Sequence, residues 1–168
     1  FQLRPGFFPD RVFQEVDGGS NSAMTLPKFT KFTSAPKDSK SYTFVTVEQR
    51  IATKNNSGYF NFENVQIKEG TPVSYVFTYN QQTNAKQVFV LPDVGIDTST
   101  LSIQVQKSAD NNSLETFELA EDATTVNSTA AVYYLEENRL GKYQIYFGDG
   151  IVGKGLDNGN IVIVSYVI

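Results

Sequence analysis

The stretch Leu101-Ser102-Ile103-Gln104-Val105-Gln106 alternates apolar and polar side chains at every step. Successive side chains of a β-strand point to opposite faces, so this alternation predicts a strand with one buried face. Leu101, Ile103 and Val105 are expected on that face. The polar residues between them are expected on the outer face.

The same alternation recurs elsewhere in the chain. In residues 142–147, Tyr143, Ile145 and Phe147 share one face. Further runs rich in aromatic and β-branched residues are typical of strands, and they occupy residues 42–48, 59–68, 73–79, 87–91, 114–119 and 132–136. No window shows the sustained period of a helix. We therefore predict an all-β fold, an irregular antiparallel sandwich or partly open barrel with long loops and little helix.

One predicted strand changes phase along its length. Phe60 and Phe62 share one parity, whereas Val65 and Ile67 share the other. A single extra residue in a strand shifts its alternation by one position. The sequence therefore predicts a β-bulge or kink near residues 63–64.

The amino-acid composition excludes several kinds of chemistry. The 168 residues include no cysteine, histidine or tryptophan, which excludes disulfides, thiol nucleophiles and histidine-based catalysis or zinc binding. The net charge of −4 makes the chain a poor binder of nucleic acid, which requires clustered cations. No apolar run reaches membrane-spanning length, and the first residues lack a signal-peptide pattern. We predict neither nucleic acid nor a membrane as a partner.

Residues 1–22 differ from the rest of the chain. Their density of glycine and proline interrupts regular structure, and their aromatic side chains argue against a solvated tail. The segment is either a linker or an N-terminal arm that docks on its own domain or on a neighbour. As an arm, it would make contacts through Phe1, Phe7, Phe8 and Phe13. Residues 23–168 then form the β domain.

The last eight residues are almost continuously apolar. A strand that is apolar on both faces is expected to be buried on both faces. The second face would be covered by more of the same polypeptide or by another subunit, through Ile161, Val162, Ile163, Val164, Tyr166 and Ile168. The run stops inside a strand-like pattern and no initiator methionine is present. We therefore expect the chain to be a fragment of a longer polypeptide.

A glycine-rich segment over residues 146–155 resembles two phosphate-binding patterns, G-x-G-x-x-G and G-x-x-x-x-G-K. The second pattern requires Ser or Thr after its lysine, and Gly155 stands there. Both patterns also require a helix next, whereas Asn158-Gly159 and a strand follow. We predict no cofactor and interpret the segment as a structural turn formed by Gly148, Asp149, Gly150 and Gly153.

Two further hypotheses concern carboxylates. Calcium binding would use oxygen ligands from Asp149, Asp157, Asn158 and Asn160, but only two carboxylates are local and the EF-hand spacing is absent. A glycosidase would need two facing carboxyl groups, drawn from Glu136, Glu137, Asp149 and Asp157. Turn formation explains Asp149 and Asp157 more simply. We assign no catalytic residue and no metal ligand.

Several motifs together resemble the baseplate J-like family, the wedge subunits of contractile-tailed bacteriophages and related injection systems. In that family a strand ends in F-G-D-G, a short turn follows, and a G-N-x-V-x-V-x-Y strand returns, as in residues 141–154 and 159–166 here. Other similar stretches occur in the family's order, at residues 25–32, 42–48, 65–70 and 91–105. The family often has glycine where Phe29 stands, which leaves the form of that turn open.

The resemblance implies a structural protein without enzymatic activity, because no catalytic residues are known for this family. Such subunits oligomerise with themselves and with other baseplate wedge and hub proteins around the tail hub, and they transmit rearrangement on contraction. The implied location is the virion tail baseplate, assembled in the host cytoplasm. The alternative is a Ca²⁺- or carbohydrate-binding β domain of a tail fibre or adhesin.

Overall fold

The computed structural model describes residues 11–17, 20, 22–36 and 39–168, with only the backbone described for 11–17 and for Ala123. The chain divides into two compact units, Phe1–Pro72 and Val73–Ile168. Each unit has its own hydrophobic core. This division differs from the sequence prediction of an arm over residues 1–22 and one domain over residues 23–168.

The first unit contains two sheets. Its strands are β1 (Arg11–Asp17), β2 (Ala23–Leu26), β3 (Lys31–Thr33), β4 (Thr43–Thr46), β5 (Arg50–Thr53) and β6 (Tyr59–Glu69). One sheet has the order β1-β6-β4-β3, and β2 pairs with β5 in the other. The long strand β6 lies between β1 and β4, so it carries the largest share of this unit's buried side chains. Of the predicted arm, residues 11–17 form β1 and pair with β6.

The predicted bulge in β6 is confirmed. The register with β1 shifts there, because Val65 lies opposite Val12 while Phe62 lies opposite Gln14. Asn64 has a φ of 54°, the left-handed conformation that such a bulge often requires. The bulge lets aromatic and aliphatic residues of opposite parity enter the same core, which contains Leu26, Phe32, Phe44, Ala52, Phe60, Phe62, Val65 and Ile67.

The turn between β2 and β3 has a left-handed backbone conformation, which favours glycine. Phe29 has a φ of 65°, although it carries a large side chain. The Phe29 amide donates to the Thr46 carbonyl at 2.8 Å, and the buried Thr46 hydroxyl donates to the Pro27 carbonyl at 2.7 Å. These bonds from β4 hold the turn in place. The turn at Phe29 therefore has the left-handed backbone conformation that glycine favours, although the side chain differs from the family pattern.

The second unit is one seven-stranded sheet. Its strands are β7 (Pro72–Thr78), β8 (Val88–Val90), β9 (Asp97–Ser108), β10 (Asn111–Leu119), β11 (Val132–Glu137), β12 (Tyr143–Phe147) and β13 (Ile161–Val167), with a 3₁₀ turn over Ala123–Thr125. The spatial order is β7-β13-β9-β10-β11-β12-β8. The sheet curves into a nearly closed barrel. The rings of Phe77 on β7 and Phe89 on β8, the two edge strands, have their centroids 5.5 Å apart.

The predicted all-β class and the two alternating strands are confirmed. Ile103 and Val105 of β9, and Ile145 and Phe147 of β12, are buried in the core of this unit. One feature differs from a purely antiparallel arrangement, because β10 and β11 pair in parallel, with Glu118 opposite Val132. β11 begins beside the last residues of β10, because Leu119, which ends β10, lies opposite Tyr133, and sequence alternation cannot indicate this pairing.

Candidate functional site

The glycine-rich connection between β12 and β13 is a tight loop built on close backbone contact. A Cβ atom on Gly148 would lie 2.2 Å from the Gly153 carbonyl carbon, so only glycine fits there. Gly150 and Gly153 have φ values of 84° and 83°, and the Gly150 amide donates to the Gly153 carbonyl at 3.0 Å. The structure thus brings together all the residues predicted to form this turn.

The loop is anchored to the segment that precedes β11. The Gly153 amide donates to the Asn127 carbonyl at 3.1 Å, and the Lys154 amide donates to the Ala130 carbonyl at 2.8 Å. A Cβ atom on Gly153 would also lie 3.0 Å from the Val132 side chain. The glycines therefore permit both the turn itself and its close packing on a neighbouring segment.

The carboxylate of Asp149 accepts hydrogen bonds from the backbone of its own loop. Its Oδ1 accepts hydrogen bonds from the backbone amides of Ile151 at 2.9 Å and Val152 at 3.1 Å. These amides, Val152 first, hold the pKa of the Asp149 carboxyl below its ordinary value. The arrangement is an Asx-type turn, in which the carboxylate stabilises the backbone conformation.

A second turn, at the end of this connection, depends on Asn160. Its Oδ1 accepts from the Asp157 amide at 2.8 Å, and its Nδ2 donates to the Lys107 carbonyl on β9, also at 2.8 Å. Asn158 Oδ1 accepts from the Gln81 amide at 3.0 Å. Both asparagine side chains that the calcium hypothesis used are therefore engaged in backbone hydrogen bonds.

A cavity of about 250 Å³ lies beside the connection, at one mouth of the barrel. Val105 and Phe117 contribute buried apolar surface to it. Charged side chains also line it, and the Lys154 ammonium lies 2.5 Å from the Glu115 carboxylate in an ion pair that is nearly half exposed. An exposed pair of this kind contributes little to stability. The cavity thus combines apolar surface with charges that neutralise each other.

The four carboxylates of the hydrolase hypothesis have different surroundings. Asp157 lines the cavity, where the neighbouring carboxylate is Glu115. Glu136 lies opposite Gln144 on β12 and accepts a hydrogen bond from its amide at 3.1 Å. Within the described part of the chain, there is no group of three or more acidic side chains placed to hold a metal ion.

Aromatic and apolar side chains lie together on the outer side of β11 and β12. The rings of Tyr134 and Tyr146 stack with their centroids 5.0 Å apart. Burial, together with the nearby Glu136 charge, raises the pKa of Tyr146. The Tyr134 hydroxyl reaches the Val152 carbonyl at 3.5 Å, and the neighbouring Ile151 side chain is 75% exposed. The glycine-rich loop therefore presents apolar side chains to solvent.

A polar cluster around one buried tyrosine was not predicted from the sequence. Tyr166 on β13 is fully buried, and its hydroxyl donates to the Asp93 carboxylate at 2.8 Å. The Tyr75 ring stacks on the Tyr166 ring at 6.0 Å. The hydrogen bond to Asp93 raises the pKa of Tyr75, and burial followed by the same carboxylate raises the pKa of Tyr166. No local signal could have paired residues so far apart in sequence.

The residues predicted to form an interface differ in how far they are exposed to solvent. Val162, Val164 and Tyr166 are buried by this chain's own residues, because β13 lies between β7 and β9. These three are core residues and are not available to a partner. Ile161 and Ile163 point to the other face and are half-buried, and Ile168 is exposed. Phe1, Phe7 and Phe8 lie outside the described residues, as does the side chain of Phe13.

The fold and the loop define an all-β protein with a glycine-rich connection next to its last strand. No family model matches the sequence. The chain is similar to the baseplate wedge protein gp6 of Enterobacteria phage T4, with 23% identity over 146 residues. The alignment covers 86% of this chain, which spans about a fifth (21%) of the length of that curated relative. The similarity relates the chain distantly to phage baseplate proteins. Among the described residues, no helix has the length and apolar character to cross a membrane.

Proposed function

We propose that this chain is a structural component of a phage tail baseplate wedge. The observation that carries the proposal is the similarity to a baseplate wedge protein over 86% of the chain. The glycine-rich connection and its returning strand, which resemble the baseplate J-like family in sequence, form the anchored loop and β13. The role would be to join neighbouring proteins of the baseplate ring and to relay its rearrangement on contraction.

The proposal includes the absence of catalytic activity. Its support is chemical, because two carboxylates of the candidate site, Asp149 and Glu115, already have partners within the chain. The Asp149 carboxylate accepts two backbone hydrogen bonds, and Glu115 is paired with Lys154. A general acid or base needs a carboxyl group that can exchange a proton with a substrate.

The proposed partners are other wedge and hub proteins and further copies of this chain. The exposed apolar side chains of the second unit support association, since such groups are enriched at the centre of protein interfaces. Ile151 on the glycine-rich loop and Leu140 in the turn after β11 are 75% and 84% exposed. The proposed location is the virion tail.

The test is the protein composition of purified tails from the phage that encodes this chain. We expect peptides of the chain in isolated baseplates at a constant ratio to the other baseplate proteins. Disruption of its gene should prevent baseplate assembly, and a gene copy supplied in trans should restore it. Normal tails in the disrupted phage, or absence of the protein from baseplates, would contradict the proposal.

The same phage separates the proposal from the alternative of a calcium- or sugar-binding module. A module of a tail fibre would copurify with fibres and leave baseplate assembly intact when its gene is disrupted. Calorimetric titration of the chain with Ca²⁺ supplies a second measurement. Under the wedge proposal, calcium produces no saturable heat, in the native chain or in Asp149→Ala.

A further inference from the structure

The outer face of β11, β12 and β8 carries two stacked aromatic rings beside one carboxylate. The pairing of the three strands places six side chains in two rows across the sheet, Tyr134, Tyr146 and Val88 in one row and Glu136, Gln144 and Val90 in the next. We name this surface the aromatic platform.

The aromatic platform is open to solvent. Both tyrosine side chains are half-buried, and Glu136 is exposed. The rings of Tyr134 and Tyr146 stack at 5.0 Å with only 15° between their planes. Aromatic pairs across neighbouring strands stabilise each other, so the two rings are held in place before any partner arrives.

The Glu136 carboxylate is held beside these rings without a cationic partner. Its Oε2 accepts a hydrogen bond from Gln144 Nε2 at 3.1 Å. Burial, followed by the Glu136 charge, raises the pKa of Tyr146, which places the carboxylate close to that ring. Lys142 continues the same face of β12, but its ammonium donates to the Pro92 carbonyl at 2.9 Å. Among the described residues, Glu136 forms no ion pair.

We propose that the aromatic platform binds an arginine side chain of another baseplate protein. The inference rests on the proposed function and adds the chemistry of the partner. A guanidinium group is planar, stacks on aromatic rings and donates two parallel hydrogen bonds to a carboxylate. Tyr134 and Glu136 are two residues apart on one face of β11, a separation of roughly 7 Å. One guanidinium group can therefore contact a ring and the carboxylate together.

Charge selects arginine over other occupants of the platform. Glu136 would repel an acidic side chain, and an uncharged partner would bury this carboxylate without compensation, which is costly. Lysine presents a compact ammonium that neither stacks as a plane nor donates the parallel pair of hydrogen bonds. The net charge of −4 also favours a basic partner over a second copy of this acidic chain.

The glycine-rich loop extends the contact beyond the arginine. The Tyr134 hydroxyl reaches the Val152 carbonyl at 3.5 Å, so the loop lies next to the platform. The Ile151 and Val152 side chains are 75% and 39% exposed. Apolar groups around a charged anchor exclude water from it in an interface, and this strengthens the ion pair. The platform therefore suits an arginine carried by a protein surface, and a small guanidinium compound should bind it only weakly.

Titration of the full chain with the capped tripeptide glycyl-arginyl-glycine, followed by NMR, tests the recognition itself. We expect saturable shifts of the Tyr134 and Tyr146 ring signals with a dissociation constant in the millimolar range. The same peptide with citrulline in place of arginine keeps the shape and loses the charge, so it should leave these signals almost unshifted.

Two variants separate the contributions of the carboxylate and the rings. Glu136→Gln should raise the dissociation constant of the arginine peptide about twofold to fivefold, as the loss of an exposed ion pair does. Tyr134→Leu keeps the carboxylate and removes a ring, and it should weaken binding by a similar factor of about two to five. Circular dichroism establishes that each variant is folded.

The matched control is Asp110→Asn. This substitution neutralises one exposed carboxylate in the turn between β9 and β10. Asp110 precedes Glu118, which lies opposite Val132 at the start of β11, by eight residues, so it lies roughly 25 Å from that point along the strand. The control should leave the dissociation constant unchanged, because distant surface sites act independently.

A charge reversal in the phage tests the partner. Glu136→Lys should impair baseplate assembly, because it places two like charges in the contact. Suppressor mutations should replace an arginine of another baseplate protein by aspartate or glutamate, which restores the pair with the opposite polarity. Asp110→Lys should assemble normally.

Three results would overturn the inference. The first is the absence of saturable shifts, or equal binding of the arginine and citrulline peptides. The second is normal baseplate assembly in the Glu136→Lys phage. The third is a set of suppressors within the gene of this chain, which would assign the platform to a second copy. In each case the chain can still be present in purified baseplates, so the proposed function is judged separately by tail composition.

Discussion

The Tyr166 hydroxyl donates a hydrogen bond of 2.8 Å to the Asp93 carboxylate, although 73 residues separate the two in sequence. The bond ties the last strand of the second unit to the segment between β8 and β9. A buried hydroxyl that bonds to a carboxylate has a stronger interaction than one that bonds to a neutral acceptor. The bond therefore stabilises the end of the chain within its own core.

Tyr166→Phe should lower the free energy of unfolding by about 1.5–3 kcal/mol, because it removes a hydrogen bond to a charged acceptor. The ring is retained, so the loss of packing is small. Urea-induced unfolding at neutral pH measures the change. Tyr134→Phe is the control, since the Tyr134 hydroxyl makes only a long contact of 3.5 Å. Equal stability of Tyr166→Phe and the native protein would show that the bond contributes nothing.

Stability should fall at alkaline pH. The folded pKa of Tyr166 is raised by burial and by Asp93, so the folded state keeps its proton where the unfolded state loses it. The contribution is complete below the unfolded pKa of about 10 and declines as pH rises above that value. Unfolding curves at increasing pH should show this decline, and Tyr166→Phe should make it shallower. An unchanged pH dependence in the variant would contradict the assignment.

Gly148→Ala should lower the free energy of unfolding much more than Gly150→Ala does. A Cβ on Gly148 meets the Gly153 backbone at 2.2 Å, whereas a Cβ on Gly150 meets nothing within 4 Å. Gly150→Ala therefore carries mainly the cost of a positive φ, about 1 kcal/mol. Gly148→Ala must also displace the loop backbone and should cost roughly 3 kcal/mol or more. Thermal unfolding of the two variants measures the difference, and equal destabilisation would mean that the close approach is absent.

The variant Phe29→Gly should be more stable than the variant Phe29→Ala. Both variants remove the aromatic ring, so their comparison isolates the backbone. Because Phe29 has a φ of 65°, Phe29→Gly should exceed Phe29→Ala in unfolding free energy by about 1 kcal/mol. In an ordinary strand alanine is more stable than glycine. Ala52→Gly on β5 is the control, and it should lower the unfolding free energy. Greater stability of Phe29→Ala would contradict the left-handed turn.

The fragment of residues 73–168 should fold by itself. All residues of the larger core belong to this segment, and so do the strands β8 to β13 of its sheet. A segment with its own core and sheet forms an independent folding unit. We expect cooperative thermal unfolding and dispersed amide signals in the NMR spectrum of the fragment. A fragment with collapsed NMR dispersion would show that its core requires residues 1–72.

Much of the fold followed from local sequence pattern. Alternation predicted the strands containing Ile103 and Ile145, and the change of parity between Phe62 and Val65 predicted the bulge at Asn64. These predictions succeed because strand periodicity and bulges depend on neighbouring residues only. The short strands β3 and β5 were not predicted, because they contain only one and two apolar residues, which is too few to show an alternation.

The candidate site could be predicted only in part from the sequence. Glycines and an aspartate indicated a tight turn, and the structure brings Gly148 against Gly153. The sequence did not indicate that Lys154 pairs with Glu115, which lies 39 residues earlier. That contact depends on which strands lie side by side in the barrel.

The sequence by itself determined the all-β class, the phase of the principal strands and the absence of cysteine and histidine chemistry. Only the tertiary structure decided which face of β13 is buried. An alternating or wholly apolar strand offers two faces, and the sheet's curvature places one of them inside. That curvature buries Val162, Val164 and Tyr166 and leaves Ile163 beside Val76 on the outer face. The physical reason is that periodicity is a local property, whereas burial depends on contacts between residues distant in the chain.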